Sequence, residues 1–428
     1  MRIIADLHLH SKYSRACSKD LDLEHNQEWA QIKGINVVGT ADFTHPGWFK
    51  ELQSKLVESN PGLFQLRPGV SISNSNFGAM ASPVLFMLTT EVSCIYKQGD
   101  KVRRLHLCLF APSFAAVAKI NQALLKRGVN LSSDGRPIMG LSAEEVAKIV
   151  LDADPDCLVV PAHAWTPWFS VFGSKSGFDS LAECFGRMTK YIYAIETGLS
   201  SDPAMNWSWS ALDKITLLSN SDAHSPQNLG REANVFEIAP VELSYNEIRR
   251  IIKEKDQKKF LYTIEFFPEE GKYHFDGHRD CRVSFSPDQA KKSGGLCPVC
   301  HKELTMGVNN RVYQLADREI GYKFDTIPYK SLVPLPELIA EVLGVGKASK
   351  KVMAAYAQLI RAAGNEFKIL LDLPLEDLSR LADPAIVAAI SNVRSGQVDI
   401  SPGYDGVYGT VSALTKQQKA KPKQKSLF

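Results

Sequence analysis

The sequence begins with a segment, ADLHLHSKYS, in which histidines directly follow a strand-like apolar run. Successive side chains of a strand point to opposite faces, so His8 and His10, which are one residue apart, point to the same face. Such a pair could lie at a polar surface, or it could bind a metal ion if further ligands come close. The other apolar runs decide between these two interpretations.

Metal-ligating side chains also stand in or just after the other strand-like runs. The runs are IKGINVVGTADFTH, PVLFMLTTEVS, VRRLHLCLFA, DCLVVPAHAW, YIYAIETG and DKITLLSNSDAHS, and their candidate ligands are Asp42, Glu91, His106, His163, Glu196, Asp222 and His224. Most runs are separated by helix-sized stretches such as LSAEEVAKIVLDA. This alternation predicts an α/β barrel, in which the C-terminal ends of the strands meet at one face and build the site.

The ligand types indicate the chemistry of that face. Imidazole and carboxylate together suit Zn, Mn or Fe and, less well, Mg. Because a carboxylate such as Glu91 can bridge two ions, about nine ligands predict two or three divalent metals rather than one. Closely spaced ions activate water and neutralise a phosphoryl group, which favours phosphoester hydrolysis. Barrel amidohydrolases also carry His-x-His on a first strand, so deamination or amide hydrolysis is the alternative.

A second group of ligands lies in DGHRDCRVSFSPDQAKKSGGLCPVCHKEL. Two pairs with two intervening residues each, about fifteen residues apart, have zinc-ribbon spacing. The pairs are His278 with Cys281 and Cys297 with Cys300. Four protein ligands leave no open coordination position, so the sequence predicts one structural zinc. His274 and His301 compete for the place of the fourth ligand.

Composition sets the frame for these sites. The chain has 428 residues, 44% of them hydrophobic and 23% charged, which is enough for about two or three domains with sizeable cores. The net charge of +3 is too small to prove a polyanionic partner. No run approaches the roughly 18 apolar residues of a membrane span, and the early ligands leave no room for a signal peptide. Scattered, unpaired cysteines suit a reducing compartment, so we expect a cytoplasmic, nucleoid-associated protein without a membrane partner.

From Ser331 the pattern becomes helical, in LPELIAEVLGVGKASKKVMAAYAQLIRAAG and LEDLSRLADPAIVAAISNVRSG. LGVGKASKKV resembles a helix-hairpin-helix turn, in which backbone amides at a helix start approach a DNA phosphate. Gly344, Gly346 and Lys347 are then candidate DNA contacts, although an ordinary capped helix pair would share the pattern. GYDGVYGT is either a further nucleic-acid-contacting loop or an ordinary loop.

The tail TKQQKAKPKQKSLF is predicted to be disordered. Gln424, Leu427 and Phe428 at its end resemble the motif that binds the bacterial β sliding clamp, where leucine and phenylalanine fill an apolar cleft. The sequence thus predicts four parts: a barrel over residues 1–265, a zinc-binding module over 266–330, a helical DNA-binding domain over 331–412 and a tail over 413–428.

Five segments, DLHLHSKYS, TADFTH, TTEVS, PAHAW and SDAHS, occur in an order that resembles the PHP superfamily of phosphoesterases. That resemblance implies a distorted (β/α)7 barrel around a trinuclear metal site. It places one ion on His8, His10, Glu91 and Asp222, a second on Glu91, His106 and His163, and a third on Asp42 and His224. Many relatives have histidine where Asp42 stands, and Glu196 also departs from the common pattern. Asp222, Glu91 and His163 are the predicted catalytic residues.

The whole chain, including PAHAWTPWFSVFGSKSGFDSLAECF and KYHFDGHRDC, resembles the endonuclease Q family. The resemblance implies a metal-dependent DNA repair endonuclease that nicks on the 5′ side of uracil, hypoxanthine, xanthine or an abasic site. The clamp motif suggests a bacterial member. An enzyme that inspects a base takes it out of the stack, and Trp165, Trp168 and Phe169 are hypothetical contacts for that base, or else pack the barrel rim. A small-molecule phosphoesterase and a non-catalytic recruiter of the clamp are the alternatives.

Overall fold

The computed structural model describes residues 1–70, 77, 83–319, 321–322 and 325–414. Within these residues the chain has a mixed α/β fold. No helix in this part of the chain combines the length and apolar character needed to cross a membrane. The clamp motif, Gln424, Leu427 and Phe428, lies outside the described residues and stays a prediction.

The strands fall into a large sheet and three pairs. The strands of residues 1–265 are β1 (Arg2–Asp6), β2 (Val37–Gly39), β3 (Leu56–Asn60), β4 (Leu63–Leu66), β5 (Leu85–Gln98), β6 (Lys101–Ala111), β7 (Ile138–Met139), β8 (Leu158–Pro161), β9 (Ala194–Glu196), β10 (Thr216–Leu218), β11 (Ala233–Glu237) and β12 (Phe260–Glu265). The later strands are β13 (Asp276–His278), β14 (Val283–Phe285), β15 (Tyr329–Ser331), β16 (Asp399–Ser401) and β17 (Thr410–Ser412).

The α-helices lie between and after these strands. They are α1 (Leu23–Lys33), α2 (Pro46–Lys55), α3 (Phe114–Lys126), α4 (Ala143–Ala153), α5 (Leu181–Phe185), α6 (Pro203–Trp207), α7 (Tyr245–Glu254), α8 (Pro287–Lys292), α9 (Val308–Leu315), α10 (Leu335–Leu343), α11 (Lys350–Ala363), α12 (Leu375–Leu381) and α13 (Pro384–Arg394), with a π-helical turn at Lys368–Asp372. Helix caps define two of these helix ends. Gly34 ends α1 as a left-handed cap with φ of 90°, and Ser142 begins α4 with a capping box to Glu145.

The strands that carry the predicted ligands follow one another along a closed path. β1 is parallel to β2 and β2 to β5, whereas β6 is antiparallel to both β5 and β8. β9 pairs in parallel with β10. The Ala164 amide donates to the Glu196 carbonyl, which links β8 to β9, and the Asp222 amide donates to the His8 carbonyl, which brings the end of β10 back to β1. The strand–helix alternation is interrupted where β3 and β4, and likewise β5 and β6, are joined directly as antiparallel hairpins.

Burial of both strand faces explains the continuous apolar runs. On β1, Ile4 packs into a buried cluster that includes residues of α1, α3 and α4. Ile3 and Ala5 join a second buried cluster, which contains Met87 and Leu218 from other strands and residues of α7. Strands covered on both faces contain near-continuous hydrophobic residues. The path therefore has an apolar inside and an apolar outside, and its polar residues collect at the strand ends.

The helical segment is attached to α1 by a buried ion pair. The Lys33 Nζ lies 2.7 Å from Glu366 Oε2, and both side chains are only 4% exposed. The same carboxylate accepts from the Tyr356 hydroxyl at 2.5 Å and from the Leu335 amide at 3.0 Å. These contacts fix how α10 and α11 stand against the strand-bearing part of the chain.

Candidate metal centre and adjoining groove

Three groups of potential ligands meet at the strand ends. The ligand atoms of each group lie within 4.8 Å of one another, and the groups are His8, His10 and Glu91; His10, Asp222 and His224; and Glu91, His106 and His163. We call these seven residues the strand-end cluster. Seven of the nine predicted ligands belong to this cluster, and an eighth, Glu196, forms a further group with His8 and Cys108. Widely separated sequence segments therefore supply a single site.

Glu91, on β5, stands at the centre of the strand-end cluster and is fully buried. Its Oε1 lies 2.8 Å from the Nδ1 of His106 and 3.1 Å from the Nε2 of His163. Its Oε2 lies 3.5 Å from the Nε2 of His10 and 2.9 Å from the guanidinium of Arg136. One carboxylate therefore faces two groups of histidines, the arrangement that a bridging ligand between two cations requires.

Asp222 follows β10 and contacts the histidines of the first strand. Its Oδ1 lies 3.0 Å from His10 Nε2 and 3.7 Å from His8 Nε2. Burial acts to raise the pKa of Asp222, but the hydrogen bond from His10 and the charge of His8 outweigh burial and hold that pKa below its ordinary value. Burial lowers the pKa of His106 to about 4, which keeps its imidazole neutral. The pKa of His8 and that of His10 are raised despite burial, with Glu196 and Asp222 among the neighbours that raise them. Because a metal ion binds neutral imidazole, a bound cation would displace the proton from each of these rings.

The geometry of His8 fits a bound cation. Its Nε2 is buried and has no hydrogen-bond partner among the described residues, although Glu91 Oε1 and Asp222 Oδ1 lie 3.8 and 3.7 Å away. Its Nδ1 lies 2.9 Å from Glu196 Oε2, which holds the imidazole with Nε2 facing the carboxylates. An imidazole whose second nitrogen is held by a carboxylate is a common arrangement at protein metal sites. The residues present therefore fit divalent metal ions.

The remaining two predicted ligands, Glu196 and Asp42, lie behind the histidines. Glu196 is on the Nδ1 side of His8, where it also accepts from Asn220 Nδ2 at 2.8 Å and from the His163 amide at 3.1 Å. Buried Cys108 approaches Glu196 Oε1 at 3.6 Å.

Asp42 is fully buried, and its Oδ2 accepts from the Ser11 amide at 2.8 Å and from Ser14 Oγ at 2.7 Å. Its Oδ1 lies 3.7 Å from Nδ1 of His10. His224 is grouped with His10 and Asp222, and the shared ion predicted for Asp42 and His224 stays a prediction. Oδ1 of Asp42 is buried and has no hydrogen-bond partner among the described residues.

Backbone strain is concentrated at the same strand ends. Asp42, His163 and Asp222 have φ of 42°, 31° and 47°, in the left-handed region that non-glycine residues rarely adopt. Gly198, with φ of 62°, packs on His163 so closely that a Cβ there would lie 2.6 Å from the Cβ of His163. This strain aims the side chains inward, and nothing in the spacing of the sequence reveals it.

Two arginines that the sequence did not single out also belong to this site. Arg136 contacts Glu91, as given above, and Arg231 donates from Nε to the Ser221 carbonyl at 2.8 Å and from Nη2 to the Asp222 carbonyl at 3.2 Å. Neither arginine follows a strand-like run next to a ligand motif. Only the fold shows that their loops converge on the cluster.

A groove of about 1250 Å³ adjoins the strand-end cluster. Its lining includes Thr166, whose Oγ1 lies 3.3 Å from His163 Nδ1, and Ser225, which follows His224 in the chain. Trp168 and Lys347 also line it, so the structure brings these two predicted contacts to one surface. The groove thus runs from the cluster to the turn between α10 and α11.

The three aromatic residues predicted to contact a base have different positions. Trp168 is exposed in the groove, and its ring lies 5.3 Å from that of Tyr273. Trp165 follows the second alternative, packing rather than base contact, because its side chain is completely buried and donates to Asn206 Oδ1 at 2.8 Å. Phe169 packs on His106, with 4.9 Å between the ring centroids, and supports a ligand from the side.

The predicted hairpin turn between α10 and α11 has an ordinary cap at one end. Gly344 ends α10 with φ of 63°, and Ser349 caps α11 by accepting from the Val352 amide. The backbone at Gly346 faces open space, with no heavy atom of the described residues within 4 Å of a Cβ placed there. Lys347 is 62% exposed and pairs with Glu337 at 2.7 Å. The turn is accessible to a ligand.

A second ligand cluster lies on and after the β13–β14 hairpin. Its ligand atoms lie within 4.8 Å of one another and belong to His278, Cys281, Cys297 and Cys300. We call it the Cys-His cluster. His274 is buried, and its Nε2 lies 3.5 Å from Nδ2 of Asn309. His301 is exposed and does not belong to this group. The geometry therefore places His278, rather than either competitor, beside the three thiols.

Known proteins match one segment of the chain, a longer part of it, and its full length. The family described as the MJ0043 C-terminal domain matches residues 334–397. The MJ0043 protein of Methanocaldococcus jannaschii is 34% identical over 255 residues, 58% of this chain, and the chain spans about a third of that protein, 31%.

Two solved structures match all of this chain at 34% identity and a TM-score of 0.83. One is the lesion-specific endonuclease PfuEndoQ from Pyrococcus furiosus, of which 98% is covered. The other is endonuclease Q in complex with a 27-mer duplex that carries an abasic lesion at the active site, of which 100% is covered.

Proposed function

The chain belongs to the endonuclease Q family, and we propose that it is a DNA repair endonuclease with a multinuclear metal site. Its substrates are DNA duplexes that contain a deaminated base, namely uracil, hypoxanthine or xanthine, or an abasic site. It hydrolyses the phosphodiester bond on the 5′ side of the lesion. The match over the full chain to an endonuclease with an abasic duplex at its active site supports this proposal.

The observation that carries the proposal is the position of Glu91 between two histidine groups. A buried carboxylate that faces His10 on one side and His106 with His163 on the other suits a bridge between two ions. When bound, two or three divalent ions such as Zn, Mn or Mg would neutralise the phosphodiester and acidify a water molecule. We interpret the closed path of strands as a distorted barrel that holds this site.

Residues around the strand-end cluster orient the metal ligands and hold the solvent-facing Asp222 in place. Glu196 holds the ring of His8 from its Nδ1 side, as carboxylates behind metal-bound histidines do. Nδ1 of His10 lies 3.2 Å from the Ser14 hydroxyl, which in turn donates to Asp42. Arg231 holds the backbone carbonyls around Asp222, whose side chain is 27% exposed and faces the mouth. Asp222 is the residue that we assign to the reacting centre.

The groove beside the cluster has the properties of a site for an extruded nucleotide. It is lined by Trp168 and Tyr273, whose rings can stack on a base, and by Arg231 and Lys272, which can meet phosphates. Substituting Trp168 by alanine should weaken binding to a uracil-containing duplex by about tenfold, because one stacking contact contributes about 1–3 kcal/mol. The variant should bind an undamaged duplex as tightly as the wild type does, in a fluorescence anisotropy titration.

The other parts of the chain have supporting roles in this proposal. The Cys-His cluster holds one structural zinc, and the turn with Gly344, Gly346 and Lys347 contacts the DNA backbone. The tail residues Gln424, Leu427 and Phe428 bind the bacterial β sliding clamp. A peptide of the last residues that fails to bind a purified clamp would remove the clamp from the proposal without affecting the nuclease.

A labelled duplex tests the proposed reaction. A 5′-labelled strand with one deoxyuridine, deoxyinosine or abasic site is incubated with enzyme and Mg²⁺ or Mn²⁺, and the products are compared with a size ladder. We expect one product that ends just before the lesion, and no product from undamaged DNA or in the presence of chelator. Hydrolysis of a simple phosphomonoester without any nick at a lesion would assign the chain to the small-molecule phosphoesterases instead.

A further inference from the structure

Arg136 reaches the centre of the strand-end cluster from a loop that carries no metal ligand. Its Nη1 lies 2.9 Å from Glu91 Oε2, and its side chain is 28% exposed while Glu91 is completely buried. The guanidinium therefore lies on the solvent side of Glu91. A group that approaches the cluster from the mouth meets Arg136 next to the carboxylate.

The backbone around Arg136 is tied to the site on both sides. The Pro137 carbonyl accepts from the Ser93 amide at 3.0 Å, and β7 then pairs with β5. The Gly135 amide donates to the Tyr13 carbonyl at 3.0 Å, and Gly135 packs so tightly on Asp42 that any Cβ would overlap the carboxylate. Two strands and one close backbone approach thus define the position of the arginine.

Glu91 can compensate the positive charge of Arg136 only when no metal cation is bound next to Glu91. Divalent ions on the cluster would take Glu91 as a ligand and would repel a guanidinium close to them. An anion at the mouth removes this conflict, and a phosphodiester supplies that negative charge. Arginine presents several N–H donors in a planar fork that matches two phosphate oxygens.

We propose that Arg136 binds a non-bridging oxygen of the phosphodiester that is cut, and so acts as a catalytic residue together with the metal ligands. This inference rests on the proposed function. The interaction between Arg136 and the phosphate becomes stronger as negative charge increases on the equatorial oxygens during hydrolysis, because a preorganised donor stabilises developing charge. The competing interpretation is that Arg136 only holds Glu91 in place for the metals.

Neutralising one phosphate separates these two roles. A fluorescent duplex with a tetrahydrofuran abasic analogue is made with either a normal phosphodiester or a methylphosphonate on the 5′ side of the analogue. Dissociation constants are measured in Ca²⁺ for the wild type, Arg136→Gln and Arg136→Lys, and the bound metal of each protein is counted by mass spectrometry. Arg127→Gln is the matched control, since Arg127 is 54% exposed and pairs with Glu145 at 3.5 Å, within the α3–α4 region.

We expect Arg136→Gln to weaken binding of the phosphodiester duplex about tenfold and binding of the methylphosphonate duplex less than twofold. The metal content should equal that of the wild type, Arg136→Lys should recover part of the affinity, and Arg127→Gln should change neither duplex. In single-turnover cleavage Arg136→Gln should be about 10²- to 10³-fold slower.

Equal losses on both duplexes, or a loss of bound metal from Arg136→Gln, would assign Arg136 to the support of Glu91 and overturn the proposal. Unchanged binding of both duplexes would overturn it as well. Failure of the proposed function gives a different result: the wild-type protein itself would then bind lesion-containing and undamaged duplexes equally and nick neither.

Discussion

The strand-end cluster and the Cys-His cluster are both groups of metal-ligating residues, but they are built in opposite ways. The first joins residues from His8 to His224, which come from strands far apart in the chain, and its Asp222 side chain is 27% exposed at the mouth. The second joins residues from His278 to Cys300 within one small hairpin module. A site with an accessible side suits catalysis, and a site closed by four protein ligands suits structure.

The difference lies in what supports each cluster. The ligands of the strand-end cluster stand on an apolar framework with its own buried cores, so the fold should persist without the ions. Few large apolar side chains are buried around the Cys-His cluster, where Val283, Ala290 and Cys297 are among the buried residues. A module of this kind relies on its metal for folding.

The largest expected effect is on catalysis. Asp222→Asn should reduce the rate of nicking of an abasic duplex by about 10³-fold or more, because the amide neither neutralises a cation nor holds it at the mouth. Thermal unfolding should change little, since the side chain is at the edge of the framework. Asp152→Asn, at a 64% exposed position on α4, serves as the control and should nick at the wild-type rate. Wild-type nicking by Asp222→Asn would refute this assignment of the reacting centre.

The Cys-His cluster should respond in the opposite way. Cys297→Ser should remove about one zinc per chain and make the module around β13 and β14 sensitive to protease, because a thiolate ligand is lost. The metal content of the strand-end cluster should stay constant. Cys17→Ser, which alters a half-buried thiol outside both clusters, should retain all the zinc. If Cys297→Ser retained its zinc and protease resistance, the module would not depend on a metal.

The buried ion pair between Lys33 and Glu366 holds two parts of the chain together without a metal ion. Lys33→Met leaves Glu366 buried without its partner cation and should lower the free energy of unfolding by about 3–5 kcal/mol. The double variant Lys33→Met, Glu366→Gln should recover part of this loss in urea denaturation. Lys148→Met, at a 64% exposed pair on α4, should have almost no effect. Equal stability of Lys33→Met and the wild type would show that the helical segment is held by apolar contacts alone.

The smallest expected effect concerns two buried carboxyl groups behind the site. Burial raises the pKa of Glu265 to about 8, and burial with the charge of Glu265 raises that of Glu232 well above its ordinary value. The pKa of each carboxyl group is higher in the folded protein than its unfolded value of about 4.3. The contribution of these two groups to the free energy of unfolding is therefore fully present below about pH 4.3 and is lost as the pH rises toward 8. The slope should be up to about 1 kcal/mol per pH unit, measured by urea denaturation, and Glu265→Gln should flatten it. An unchanged slope in that variant would exclude Glu265 as the cause.

The ligands of the strand-end cluster could be found in the sequence because each stands in or just after an apolar run. The position of a ligand relative to an apolar run does not predict whether a carboxylate faces the mouth of the cluster or lies behind the histidines. Asp42 and Glu196 have the right residue type and position in the chain, yet Ser11 and Ser14 bind the first and the ring of His8 binds the second. These are tertiary contacts, so the spacing of residues along the chain does not predict them.

The aromatic segment after His163 shows the same limit on a smaller scale. Trp165, Trp168 and Phe169 are close in sequence, but the chain turns sharply at Phe169, where φ is 61°. One ring is therefore buried, one is exposed in the groove, and one packs on His106. Arg136 and Arg231 were missed for a related reason, since loops distant in sequence bring them to the cluster.

Selective metal removal tests the central claim most directly. Purified protein is treated with a chelator until the readily exchanged ions are lost, and metal content, zinc content, binding to an abasic duplex and nicking are measured on the same sample. We expect about one zinc per chain to remain, nicking to stop while much of the binding survives, and added Mn²⁺ to restore nicking. Nicking that continues after the strand-end cluster has lost its ions would show that this cluster is not the catalytic site.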